Sequence, residues 1–341
     1  METSEPLQRK NVLVTGGAGF IGSHLCDSLI GTCNVICLDN LISGNIENVN
    51  HLLHLPNFEF IRHDLSQPTD LEVFPELKKF KLPYHGLQEI YHLACPTSHY
   101  EKHAHQLDTA LANSHGTKNV LDLAVKYHSK VMLASSSAVY GEPEPGEQVL
   151  LAENNYGRVN QLGERGCYDE GKRFAETLVK IYREEYKIDA RIARIFQTYG
   201  PRMSLEDNRL IPRLISRAIT NQPLVVYGEP NLRTSLCYIA DIIEGIGKFM
   251  QSELAGPVNL GSDQPETYQK VADLVKELTD TSSVISFESE SPYIAHRGMP
   301  DIKLAKDKLG WFPVVPLKEG LELTIANMRG SRVVKMTDIK L

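Results

Sequence analysis

Val12-Leu13-Val14-Thr15-Gly16-Gly17-Ala18-Gly19-Phe20-Ile21-Gly22 reads as an apolar β-branched run, a glycine turn and the opening of an amphipathic helix that continues through Leu25 and Leu29. The order matters more than the glycines. A strand that feeds a tight turn into a helix N-terminus presents backbone N–H groups and the positive end of the helix dipole to an anion, and glycine lets a pyrophosphate approach the backbone closely. The spacing is G-x-x-G-x-x-G rather than the commoner G-x-G-x-x-G. In this setting it predicts a dinucleotide site at Gly16, Gly19, Phe20, Ile21 and Gly22.

Outward from that stretch, short β-branched runs alternate with helical segments: Val12 to Thr15, Val35 to Asp39, Phe58 to Arg62, Glu89 to Leu93, Val131 to Ser135 and Ala190 to Ile195. Such alternation predicts an α/β fold, a Rossmann-type doubly wound parallel sheet covered on both faces. Leu107, Leu111, Val120, Leu121 and Ala124 recur at helical spacing, as do Ala175, Leu178, Val179 and Tyr182. The connection Asp64 to Gln88, with three prolines and a lysine cluster, reads as a surface insertion. After Gly200 shorter elements and turn signals predict a smaller interleaved C-terminal lobe that binds substrate. The expected division is 10–198 plus 234–262 for the dinucleotide domain and 199–233 plus 263–330 for the lobe, with tails at 1–9 and 331–341.

Composition removes other classes. The 341 residues are 42% hydrophobic, enough for a large core. A net charge of −7 with no basic block argues against nucleic acid and anionic membranes as partners. No window approaches a membrane span, Met1 to Lys10 is short and polar, and six cysteines lack any C-x-x-C pair, so a cytoplasmic protein with reduced thiols is expected. His99, His103 and His105 lack Asp or Cys partners and read as surface histidines, so no metal is expected.

Asp39 ends the second predicted strand, where a carboxylate accepts hydrogen bonds from both ribose hydroxyls and repels a 2′-phosphate. The expected cofactor is therefore NAD rather than NADP. Asp64, after the third strand, reads either as an adenine contact or as a turn residue. Asn40, Leu65, Leu93 and Ala94, beside these strand ends, together with Tyr168 and Lys172, complete the expected cofactor set.

Tyr168 and Lys172 stand one turn apart at the start of a predicted helix and so share a face. An ammonium beside a phenol favours the phenolate, which makes Tyr168 a candidate general base. Ser136, in the hydroxyl cluster Ser135-Ser136-Ser137 at the carboxyl end of a strand, can hydrogen-bond the oxygen that Tyr168 deprotonates. Serines at such a place also bond nearby backbone, which is the competing local reading.

These features resemble the extended short-chain dehydrogenase/reductases that modify nucleotide sugars, from about residue 10 to 325: the glycine loop, Asn113-x-x-Gly116-Thr117, the serine strand, the Tyr168/Lys172 pair and Arg194-x-Phe196-x-x-Tyr199-Gly200-Pro201-Arg202. Ile61-Arg62-His63-Asp64, Tyr91-His92-Leu93-Ala94-Cys95-Pro96 and Gly163-Glu164-Arg165-x-Cys167 through Arg173 are similar to UDP-glucuronate decarboxylases, the UDP-xylose synthases. That resemblance implies oxidation of C4 of UDP-glucuronate with NAD, loss of CO2 from the β-keto acid, and return of the hydride, with Ser136, Tyr168 and Lys172 as the relay. It also implies a homodimer formed through the two long helices. The substrate set it suggests is Pro96, Ser137, Gln197, Arg202, Val226, Tyr227, Arg233 and Arg297.

At four positions the chain departs from the decarboxylase pattern. Ala138 stands for a Glu, Gln197 for an Asn, Thr234 for an Arg with Arg233 beside it, and Gly298 for an Arg near the diphosphate with Arg297 beside it. A one-residue shift within a strand reverses side-chain direction, so Arg233 replaces the missing Arg only on a loop. The alternative readings are a UDP-sugar 4-epimerase, a 4,6-dehydratase, for which the adjacent Asp-Glu pair is missing, and a non-catalytic NAD-sensing protein.

Overall fold

The computed structural model describes residues 9–97, 105–143, 149–288 and 298–338, the last without the side chains of 332–338. Its centre is a seven-stranded parallel sheet. Five of the strands are β1 (Lys10–Thr15), β2 (Cys33–Asp39), β3 (Phe58–Arg62), β4 (Glu89–His92) and β5 (Lys130–Ser136). The sheet runs Val258–Leu260, Ala190–Ile195, β5, β4, β1, β2, β3, and the pairings of β1 with β2 and β4, and of Ala190–Ile195 with Val258–Leu260, are parallel. Burial explains the apolar runs: every residue of Ala190–Ile195 and all but the first of β1 are buried.

The chain divides into two compact units, one of residues 1–96, 108–134 and 174–192, the other of 97–107, 135–173 and 193–341. In the first, Leu13, Ile36, Ile90, Val131 and Leu133 of the sheet pack with Val120, Leu121 and Ala124 of the helix Thr117–Tyr127. That helix follows Gln106–Leu111 through a π turn at Ala112–Gly116.

The stretch 64–88 corrects the expectation of a surface insertion. Two 3-10 turns, Leu71–Val73 and Pro75–Phe80, and the short helix Leu82–His85 place Leu71, Leu77, Phe80, Leu82 and Leu87 in the main core. The Asn11 amide donates to Phe80 O and Gly86 O, which ties the segment to β1. Each such side chain contributes roughly 2 kcal/mol by burial, so the prolines here set turns around a packed core rather than a surface loop.

In the second unit the helices Leu210–Ala218, Ile239–Gln251 and Tyr268–Thr279 accompany short strand pairs, among them Leu224–Tyr227 with Ile285–Glu288 and Arg233–Ser235 with Pro265–Thr267. The helix Leu317–Asp338 runs past residue 331, where a tail is expected from the sequence. Its apolar spacing is too weak for that continuation to be read beforehand. No helix among the described residues is long and apolar enough to cross a membrane.

Candidate active site

In the first unit the glycine turn closes on itself. Gly16 N donates to Leu38 O and Gly19 N to Gly16 O. Gly16 has φ +68°, and a Cβ there would lie 2.8 Å from Ala94 N; a Cβ on Gly22 would lie 2.1 Å from Gly16 O. Any side chain at either position would prise the turn from the helix Phe20–Ile30, whose N-cap, Gly19, offers no side-chain cap. The backbone N–H groups of that first turn are what a pyrophosphate requires.

Asp39 stands beside this turn. Its carboxylate accepts from Ala18 N at 3.0 Å and Leu41 N at 2.8 Å, and Gly44 leaves open the space that a Cβ would occupy 2.9 Å from both carboxylate oxygens. Burial pushes the Asp39 pKa up, while the N–H groups of Leu41, Ala18 and Asn40 oppose the shift. A buried acceptor at a strand end, next to a cradle of glycine backbone, fits the adenosine half of a dinucleotide.

The other expected cofactor residues divide. Leu93 N donates to Thr15 O and Ala94 N to Thr15 Oγ1, which presses this backbone against Gly16. Asn40 Oδ1 accepts from Ile42 N, and Leu65 is buried in the core. Asp64 Oδ1 accepts from Ser66 N at 2.9 Å, the bond a turn residue makes. Asn113, in the π turn, is a residue the expected set omits: it is buried, and its amide donates to Thr109 O and Cys95 Sγ, beside Pro96. Its signal was its place in the Asn113-x-x-Gly116-Thr117 string, and π turns recur at functional sites.

The second unit holds the three residues expected to form the relay. The helix Gly166–Tyr186 carries Tyr168 and Lys172 in its first two turns. Lys172 is 4% exposed, and its Nζ lies 5.9 Å from the Tyr168 ring centre. The Arg165 guanidinium lies equally near that ring and pairs with Asp169. Ser136 caps the 3-10 turn Ser137–Tyr140, its Oγ accepting from Ala138 N at 3.2 Å. A hydroxyl whose lone pair is engaged in this way still has its own proton to donate. Arg173 joins the two pieces, its Nη1 donating to Val139 O at 3.0 Å and to Tyr156 O at 2.6 Å. It is a positioning residue that the sequence reading passed over, although it directly follows Lys172.

The four departures have local explanations. Ala138 is 1% exposed inside that turn. Thr234 Oγ1 donates to Gln197 Oε1 at 2.7 Å, so two of the changed positions bond each other. Because Arg233–Ser235 is a strand, Thr234 is buried and Arg233 is exposed, and Arg233 does not take over the direction of the residue at 234. At Gly298 a Cβ would sit 2.7 Å from Leu151 Cδ1 and 2.8 Å from Val149 O. Arg297, His99 and His103 lie outside the described residues, and no cluster of metal ligands occurs among those described. Of the remaining substrate candidates, Val226 and Ser137 are buried, Tyr227 is half-buried, and Arg202 has φ +69° with its N–H on Asn327 Oδ1.

A family model described as the NAD dependent epimerase/dehydratase family matches residues 12–261. The chain belongs to that family. It is 41% identical over 323 residues to UDP-glucuronic acid decarboxylase 1 of Arabidopsis thaliana, covering 94% of this chain and 70% of that protein. Among solved structures, a UDP-N-acetylglucosamine 4-epimerase of Methanobrevibacter ruminantium, in complex with UDP-N-acetylmuramic acid, aligns with TM-score 0.83 and 27% identity over 95% of this chain and all of that one. A UDP-glucuronic acid 4-epimerase of Bacillus cereus, in complex with UDP-glucuronic acid and NAD, aligns with TM-score 0.81 and 25% identity, covering 94% and 99%. This epimerase/dehydratase family accounts for the sheet and the glycine turn together.

Proposed function

We propose that the protein converts UDP-glucuronate to UDP-xylose and CO2, with NAD held by Gly16, Gly19, Phe20, Ile21, Gly22 and Asp39. The observation that carries this reading is the 41% identity to a UDP-glucuronic acid decarboxylase over nearly the whole chain. Bound by those residues, NAD would supply a reversible hydride acceptor for C4 and would not be consumed.

The chain's own residues handle the proton and the developing charge. Tyr168 takes the proton of the C4 hydroxyl as general base, with the Lys172 ammonium beside its ring, and the Ser136 hydroxyl donates to the same oxygen. The C4 ketone is then β to the carboxylate. As the bond from C5 to the carboxylate carbon breaks, its electron pair moves onto the C4 oxygen, where Tyr168–OH and Ser136 donate to the enolate. C5 takes a proton from water, and on reduction of C4 Tyr168 returns its proton to the C4 oxygen.

A 4-epimerase is the second reading, and Ala138 in place of Glu favours it, as does the fold likeness to an enzyme that epimerises UDP-glucuronic acid. Incubation with UDP-glucuronate and NAD, followed by mass spectrometry and proton NMR, separates the two. A UDP-pentose lighter by one CO2 is expected. An unchanged mass with inverted C4 would establish the epimerase, and no conversion of any UDP-sugar together with no nicotinamide absorbance transient would leave the sensor reading.

We further infer a homodimer in the cytoplasm. Phe174 and Ile181 of Gly166–Tyr186 are 49% and 37% exposed on one helix face, with Leu178 between them, which suits a helical interface. The six cysteines are all free thiols, which suits a reducing compartment.

A further inference from the structure

The helix Leu210–Ala218 buries Ile211, Leu214, Ile215 and Ala218, and it buries Arg213 among them, 7% exposed. A guanidinium in such a place ordinarily has a carboxylate. Arg191 has Asp189, and Arg209, one turn before Arg213, has Asp207. Arg213 makes no ion pair among the described residues, although the Glu288 carboxylate, opposite Tyr227 in the strand pair, lies within electrostatic reach. Its Nη1 donates to Asn208 O at 3.2 Å, its Nε is buried without an acceptor, and the group lies 4.6 Å from the centre of the Tyr227 ring. An unpaired buried charge is costly to the folded state, so its retention calls for an anion that arrives from outside.

Tyr227 belongs to the strand Leu224–Tyr227, the segment that family resemblance assigns to the uridine end of the substrate. The arginines that the resemblance expects at 234 and 298 are missing. Thr234 is engaged with Gln197, and the space at Gly298 is taken by Leu151 and Val149. The nucleotide's negative charge thus lacks two of the cations the resemblance expects.

We propose that Arg213 binds the phosphate groups of the substrate's nucleoside diphosphate, replacing the missing arginines. The planar guanidinium makes two parallel bonds to phosphate oxygens, the Tyr227 face keeps its plane fixed, and the apolar helix around it strengthens the attraction by excluding water. The inference rests on the UDP-sugar reading above and assigns a residue to it.

The test is calorimetric binding of UDP and of uridine to the full chain and to Arg213→Met and Arg213→Lys, with melting temperatures of each free protein. Arg213→Met is expected to weaken UDP about 30-fold or more while uridine affinity stays within about twofold. Its melting temperature should hold or rise, because an unpaired buried charge has gone, and Arg213→Lys should recover part of the UDP affinity. Unchanged UDP affinity in Arg213→Met overturns the proposal and leaves the UDP-sugar reading intact. Equal loss of UDP and uridine with a lowered melting temperature also overturns it, by showing a structural arginine. A wild-type protein that binds NAD but neither UDP nor uridine refutes the UDP-sugar reading itself, and the proposal with it.

Discussion

The oxidation residues and the substrate end of this chain follow different rules. Ser136, Tyr168 and Lys172 keep the pattern of the nucleotide-sugar enzymes, with Arg173 bonding the serine turn to the helix that carries the other two. At 138, 197, 234 and 298 the pattern is left behind, and each change is absorbed by its neighbours: a buried Ala138, a Gln197–Thr234 hydrogen bond, a Gly298 packed on Leu151. Removing a hydride from a sugar carbon is one task and gripping the rest of the molecule is another. The second can be rebuilt while the first stays fixed.

The sharpest way to break this contrast is Tyr168→Phe, which removes the proton acceptor and should lower kcat about 1,000-fold, while calorimetry still detects NAD binding at the glycine turn. If turnover survived, the oxidation half would have been misassigned. Arg173→Met detaches the turn from the helix without touching substrate and should lower kcat by roughly tenfold, with KM little changed and Arg173→Lys partly restoring the rate. A loss of KM alone would move Arg173 to the substrate end.

Asp39 gives the contrast a pH dependence. Burial raises its pKa, so the carboxylate takes up its proton at a higher pH than an ordinary aspartate does. Protonation would remove the charged acceptor proposed for the ribose hydroxyls, so NAD affinity should fall on acidification, and at a higher pH than an ordinary aspartate would give. Asp39→Asn should bind NAD roughly tenfold more weakly, flatten that pH profile and narrow the preference over NADP. The smallest effect belongs to Thr234→Val, which breaks the bond to Gln197. It should cost about 1 kcal/mol of stability in denaturant melts and raise KM severalfold with kcat unchanged.

Much of this was legible before any coordinates. Ala190–Ile195 lies where its apolar run does, because a strand buried on both faces announces itself by composition. The stretch 64–88 was misread because three prolines look like surface, whereas its leucines and Phe80 are spaced for 3-10 turns that no simple period reveals. The glycine turn and the Tyr168/Lys172 pair are local patterns and so could be read locally. Arg213 and the Gln197–Thr234 bond escaped, since each depends on partners distant in sequence or on a partner that is lacking.

The sheet's last strand also sets an order of events during synthesis. Val258–Leu260 pairs with Ala190–Ile195, yet the helices Leu210–Ala218 and Ile239–Gln251 intervene between them. While a ribosome is still making those helices, Ala190–Ile195 is an open, apolar edge able to pair with another nascent chain. Asn259 closes that interval: its amide donates to Leu151 O and Asp301 O, and its carbonyl accepts from Tyr140. Truncations that stop short of residue 258 should therefore aggregate during expression more than those that keep the strand and the buried Trp311, Leu321 and Met328.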